Sequence, residues 1–242
     1  MNIYPTTVSR IELNIQNGNT DFNNSNNYAA QGFPALDYLL YGIENSDELI
    51  LSKFNNEPQY LIYLSNVINQ MLQNTYPIVE DWQNYRNPFI GSVRNTATSS
   101  VNKMTNDFIY YYEKGFRANK FGIPAGVFSG GALPEKVEAF YNQNISKALA
   151  LEGFQAIKNF YNGNGGVSLR QYISEVSTEE YSELSTDILD QFNIAENLIN
   201  GLDENFYNQI LTNNIKVLET YDAIQQGTIL LKTDMLSVLQ IP

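Results

Sequence analysis

The chain has 242 residues, 43% of them apolar, enough for a sizeable core in one large domain or two packed subdomains. Fourteen Lys and Arg against 26 Asp and Glu give a formal charge of -12, which repels phosphate backbones and anionic headgroups and argues against nucleic acid as a partner. There is no Cys and no His, so disulfides, thiolate chemistry and imidazole chemistry are all excluded.

The opening through Asn27 is polar and Asn-rich and reads as a loop, with Ile11 to Ile15 offering one turn of helix. Pro34 suits the first turn of a helix, where a missing N–H costs little, and Gly42 suits its end. That predicts a short helix over Pro34 to Tyr41, burying Leu36, Leu39 and Leu40. From Glu57 to Trp82 apolar residues recur at steps of three and four, the period of an amphipathic helix, which Pro77 should bend or break. A second such run carries Val101, Met104, Phe108, Tyr112 and Phe116. It meets a Gly/Pro/Ser-rich stretch, Phe121 to Pro134, which is the best internal boundary. The chain is read as a first helical half (1–120), this connection (121–134) and a second helical half (135–242).

Beyond the boundary, Pro134 to Tyr141 and Ile145 to Tyr161 read as helices, the latter ending at NGNGG (Asn162 to Gly166), with a hairpin between helices to follow. Glu179 to Asn200 predicts a further helix stopped by Gly201, and Phe206 to Met235 a long final one. Nothing alternates convincingly at period two, so the fold class is all-α. No apolar run approaches the roughly 20 residues of a membrane span, and Met1 to Arg10 has no signal-peptide core, so any export signal would lie upstream.

Three segments carry a resemblance: QGFPALDYLLYG (Gln31 to Gly42), NKFGIPAGVFSGGALPEKVEAFYNQNISKAL (Asn119 to Leu149) and LLKTDMLSVLQI (Leu230 to Ile241). In that order they resemble imelysin-like proteins of the Bacteroides type, whose signature is Gly-x-His-x-x-Glu. Here Gly32 stands in place, while Pro34 occupies the His position and Asp37 the Glu position. The resemblance implies two packed, bundle-like helical halves with the signature near their junction, on a periplasmic protein or exported lipoprotein associated with iron uptake and also classed among peptidases. It implies a leader and more helix ahead of this point, so the first half is read as incomplete or completed by a partner.

Without His or Cys, a metal site would rest on carboxylates, carbonyls and water, which suit hard cations. Asp37 is the only inherited candidate, and no acids have the spacing of an EF-hand loop. A polar stripe follows: Asn102, Asn106, Tyr110, Glu113, Arg117 and Lys120, at +4, +4, +3, +4 and +3, share one helix face. One reading is a solvated face. In the other, the stripe faces Asp37 across the junction and Arg117 or Lys120 compensates its carboxylate. The glycines from Gly122 to Gly131 could cradle an anion, but the GK[ST] ending of a phosphate loop is missing and Ser129 has no histidine to activate it.

These readings predict an exported, non-catalytic binding protein that takes a ligand or partner at the junction. The candidate residues are Gly32, Pro34, Asp37, Asn102, Asn106, Glu113, Arg117 and Lys120. The process is iron or haem acquisition, with a metal ion or haem as cofactor class and a small ligand or cell-envelope protein as partner. The resemblance places the protein in the periplasm or at the cell surface, with a lipid anchor on the preceding segment. Two alternatives stand beside it: a divergent metallopeptidase using Asp37 and other oxygen ligands, and a surface protein-interaction module.

Overall fold

The computed structural model describes residues 2–241, which contain helices and no strand. The fold class is all-α. The chain forms two compact units, Met1–Asn87 with Glu135–Ser146, and Pro88–Pro134 with Lys147–Pro242. This division differs from a break in the Gly/Pro/Ser stretch: the chain leaves the first unit at Asn87, returns to it at Glu135 and leaves again after Ser146. The stretch itself belongs to the second unit, where it closes on its own backbone. The Val127 N–H donates to the Gly122 carbonyl at 2.9 Å and the Leu133 N–H to that of Pro124 at 2.8 Å. Gly126 sits at φ +85°, and a Cβ there would strike the backbone of Gly131 and Ala132.

The first unit opens with α1 (Val8–Asn17), a full helix where a loop with one helical turn is expected. Its buried side is Ile11, Asn14 and Ile15, so an asparagine occupies a core position and hides the apolar period. Asn14 is satisfied there, donating to the Asn27 side chain at 3.1 Å and to the Tyr63 hydroxyl at 3.2 Å. A 3₁₀ turn, Ser25–Ala30, capped by the Asn24 side chain, leads to α2 (Phe33–Tyr41). Helix α2 buries Pro34, Ala35, Tyr38 and Leu39. Of the three leucines expected inside, Leu39 is fully buried, Leu36 is half-buried and Leu40 is 41% exposed, because Tyr38 takes the inward position.

Next come α3 (Asp47–Asn56), capped by the Ser46 hydroxyl, and the 34-residue α4 (Pro58–Gly91). Pro77 does not break α4. Only one backbone hydrogen bond, to the carbonyl of Gln73, is forfeited, and that residue is exposed to water. The expected helix over Pro134 to Tyr141 is absent, replaced by 3₁₀ turns at Pro134–Lys136 and Gln143–Ile145 with Ala139 at φ 55° between them. The core of this unit gathers Ile11, Ile15, Phe22, Tyr38, Leu39 and Tyr63.

The second unit begins with α5 (Ser100–Tyr110), which runs without interruption into a π-helical segment, Tyr111–Gly122. Then come α6 (Ser146–Asn162), α7 (Leu169–Val176) in the expected hairpin, α8 (Leu184–Asn200) and α9 (Phe206–Ile229). Non-helical dihedrals at Asn213 interrupt α9, and a second π-helical segment, Leu230–Met235, follows it. Aromatic residues fill the core around Phe192, whose ring centroid lies 5.4 Å from Tyr112, 5.4 Å from Tyr161 and 5.8 Å from Phe154. The Tyr112 hydroxyl donates to the Ile224 carbonyl at 3.0 Å, across from Gly227, where any Cβ would collide with it.

Candidate signature site and the polar stripe

Gly32 precedes α2 at φ 79°, a conformation suited to glycine, and Pro34 follows within the first turn. One turn on, Asp37 extends a half-buried carboxylate to the segment after Ala139. Its Oδ2 accepts the Tyr141 N–H and its Oδ1 the Asn142 N–H, both at 2.9 Å. The Tyr141 N–H is thereby withdrawn from the last turn of the helix expected over Pro134 to Tyr141. Burial raises the Asp37 pKa above its ordinary value, and the two N–H donors pull it the other way.

Asp37 and Pro34 line a cavity of about 200 Å³ together with Glu135, Tyr4, Phe140 and Tyr141. Two acidic residues thus border a space whose other walls are largely aromatic and apolar. Behind it, the Tyr141 ring meets the Tyr38 ring edge-on at 5.1 Å. The Tyr38 hydroxyl donates to Glu12 Oε1 at 2.5 Å, and Tyr60 donates to Glu12 Oε2. Burial, then the Glu12 carboxylate, raise the pKa of both phenols. Lys53 stands over the Tyr60 ring at 4.8 Å and pairs with Glu44 at 3.3 Å and Glu57 at 3.4 Å.

Glu12, Tyr38, Tyr60 and Tyr141 therefore support the signature helix, and sequence reading passed over all four. Tyr38 carried a signal, since it directly follows Asp37 and a phenol inside a short apolar helix must find an acceptor. Glu12 carried none, because its two donors lie 26 and 48 residues away.

The polar stripe falls in the second unit, and its members do not share one environment. Asn102, Arg117 and Lys120 are buried, Glu113 is half-buried, and Asn106 and Tyr110 are exposed. A +3/+4 pattern marks one face only at 3.6 residues per turn. From Tyr111 the backbone is π-helical, with the Ile123 N–H reaching back to Ala118, and the face rotates away. Asn102 donates to the Asn95 side chain at 3.0 Å, and Asn106 to the Asn102 carbonyl at 3.0 Å.

Arg117 pairs with Glu113 at 3.4 Å, donates to the Tyr221 hydroxyl and lies over the Tyr221 ring at 4.8 Å. Glu113 also receives Lys232, from the second π-helical segment, at 2.9 Å. Asp37 is met by backbone N–H groups of its own unit. Between Gly122 and Gly131 the amides of Gly126, Val127 and Ser129 donate to carbonyls of the same stretch, and Ser129 Oγ donates to the Gly131 carbonyl at 2.8 Å.

A metal implied by the signature does not fit the residues present. Pro34 offers no ligand, and no group of three or more Asp or Glu able to hold an ion exists among the described residues. Likewise, no helix of these residues is long and apolar enough to cross a membrane. No curated protein and no solved structure matches the chain. A peptidase family model described as imelysin matches residues 1–231 of the 242. With its signature segment and helical fold inside that match, the chain belongs to the imelysin family.

Proposed function

We propose that this imelysin-family protein is an exported, non-catalytic binding protein, and that the cavity beside Asp37 takes a small cationic group of a ligand or cell-envelope partner during iron acquisition. The observation that carries this reading is the pair of carboxylates, Asp37 and Glu135, at a largely apolar cavity of about 200 Å³. Asp37 uses one lone pair per oxygen on the backbone amides, which leaves others for an ammonium or guanidinium group. The cavity is smaller than the roughly 300–1,000 Å³ of sites for drug-sized ligands. It suits a Lys or Arg side chain or a small amine better than haem. Peptidase chemistry lacks support, since the chain has no histidine and the cavity has no metal-binding set.

Calorimetric titration with Fe³⁺, Ca²⁺, haemin, a small alkylamine and a Lys-rich peptide tests it. Amine and peptide should bind, and Asp37→Asn or Glu135→Gln should weaken that binding about tenfold. Chelator-sensitive proteolysis abolished by Asp37→Ala would overturn the reading.

A further inference from the structure

Helix α4 shows a second feature, unrelated to the signature cavity. Its distal half is amphipathic, and the apolar side faces solvent. Ile68, Leu72, Tyr76, Ile78, Val79 and Trp82 each leave between 43% and 66% of their surface exposed. A stable soluble helix ordinarily turns such a stripe toward a core.

The positions fall into a heptad register. Ile68, Thr75 and Trp82 form one row at steps of seven, and Leu72, Val79 and Arg86 form the interleaved row, three or four residues from the first. This is the seam of a coiled coil, flanked by Tyr76 and Ile78. We infer that the seam is where a second copy of this chain docks, through antiparallel packing of α4 on α4.

Three observations select a second copy. The first is area: six large side chains at roughly 100 Å² each offer on the order of 600 Å², so two copies together would bury about 1,200 Å², the lower end of specific stable interfaces. The second is charge. The chain carries -12 overall, yet from Pro58 to Gly91 the only charged residues are Glu80, Asp81 and Arg86. Both acids sit at heptad positions that point away from the seam, so two acidic molecules would meet where their mutual repulsion is weakest.

The third is register. Antiparallel about a two-fold axis, Val79 layers against the partner's Trp82 and Arg86 against the partner's Thr75. Large side chains oppose smaller ones, and the lone cation meets a hydroxyl. A parallel pair would stack Arg86 on the partner's Arg86. The antiparallel contact is isologous and closes as a dimer.

Sedimentation velocity of the full chain tests this. The expected species has twice the 27.5 kDa mass of one chain. Val79→Glu, at a position 60% exposed in the single chain, should give a monomer with an unchanged circular dichroism spectrum. Thr75→Glu should tighten the dimer by about tenfold by meeting the partner's Arg86, and adding Arg86→Glu should reverse that gain. A chain that stays monomeric up to about 100 µM, far above the micromolar range of weak stable complexes, overturns the inference. So does a dimer untouched by Val79→Glu, or a monomer that floats with neutral phosphatidylcholine vesicles, which would make the face a membrane contact.

Discussion

Two charged side chains, Asp37 in the first unit and Arg117 in the second, are satisfied by opposite means. Asp37 is held by the backbone: two consecutive amides from a segment 104 and 105 residues along the chain close on its two oxygens. Arg117 is held by side chains, between Glu113, one turn away in its own segment, and the ring and hydroxyl of Tyr221 on α9. A backbone-held carboxylate dictates the path of a loop, and it shapes the wall of the cavity it borders. A side-chain-held guanidinium ties two helices together and leaves the backbone of each unchanged. The signature position has thus become an architectural clamp with spare acceptor capacity, whereas Arg117 of the polar stripe has become core.

Removing Arg117 tests the second half of that contrast and should have the larger effect. Arg117→Ala deletes a buried stem, strips Tyr221 of its donor and leaves Glu113 with Lys232 alone. Loss of one partner from a buried ion pair typically destabilises by roughly 3–5 kcal/mol. Here Glu113 is half-exposed and Arg117 Nε finds no acceptor among the described residues, so the loss should be about 2–4 kcal/mol. Urea unfolding measures it. A variant within about 0.5 kcal/mol of wild type, the range of ordinary surface substitutions, would return Arg117 to the solvated face.

The clamp is tested by Asp37→Asn, which keeps shape but turns one acceptor into a donor facing a backbone N–H. An unsatisfied buried donor costs about 1–3 kcal/mol, so the variant should be less stable by roughly that amount. The pH dependence gives a sharper check. Burial raises the folded-state pKa above the ordinary 3.8, so the linked stabilisation is fully present below pH 3.8 and is lost as pH rises through the folded value. The gap between wild type and Asp37→Asn should accordingly narrow from about pH 3.5 toward pH 7. A gap that widens over that interval would mean that the amides outweigh burial at this carboxylate.

How far the sequence foretells each region follows from where its determinants lie. Helices α4, α8 and α9 were legible because their apolar residues recur at three and four, a local signal. Helix α1 was not, since Asn14 fills a core position that only Asn27 and Tyr63 explain. The helix expected over Pro134 to Tyr141 meets a longer-range determinant: its last amide, the Tyr141 N–H, is claimed by Asp37, and nothing between Pro134 and Tyr141 announces it. The stripe misled in another way. Its spacing presumes 3.6 residues per turn, while the segment after Tyr110 is π-helical, and nothing in the spacing signals the change. Asp37 itself was legible as the one polar residue of the signature, although the groups that satisfy it were not.

The smallest expected effect concerns the support behind the clamp. Tyr38 and Tyr60 both donate to Glu12, and burial followed by that carboxylate raises their folded-state pKa values above the ordinary 10. Stability linked to each phenol is therefore fully present below pH 10 and is lost as pH rises through the folded values, because the unfolded chain ionises first. The melting temperature should fall increasingly steeply above pH 10. Tyr60→Phe removes one of the linked protons, so its melting curve against pH should be shallower than wild type above pH 10, at a cost near neutrality of about 1 kcal/mol for the lost hydrogen bond. Parallel alkaline profiles for Tyr60→Phe and wild type would place the titrating groups elsewhere and remove Glu12 as the support of the signature helix.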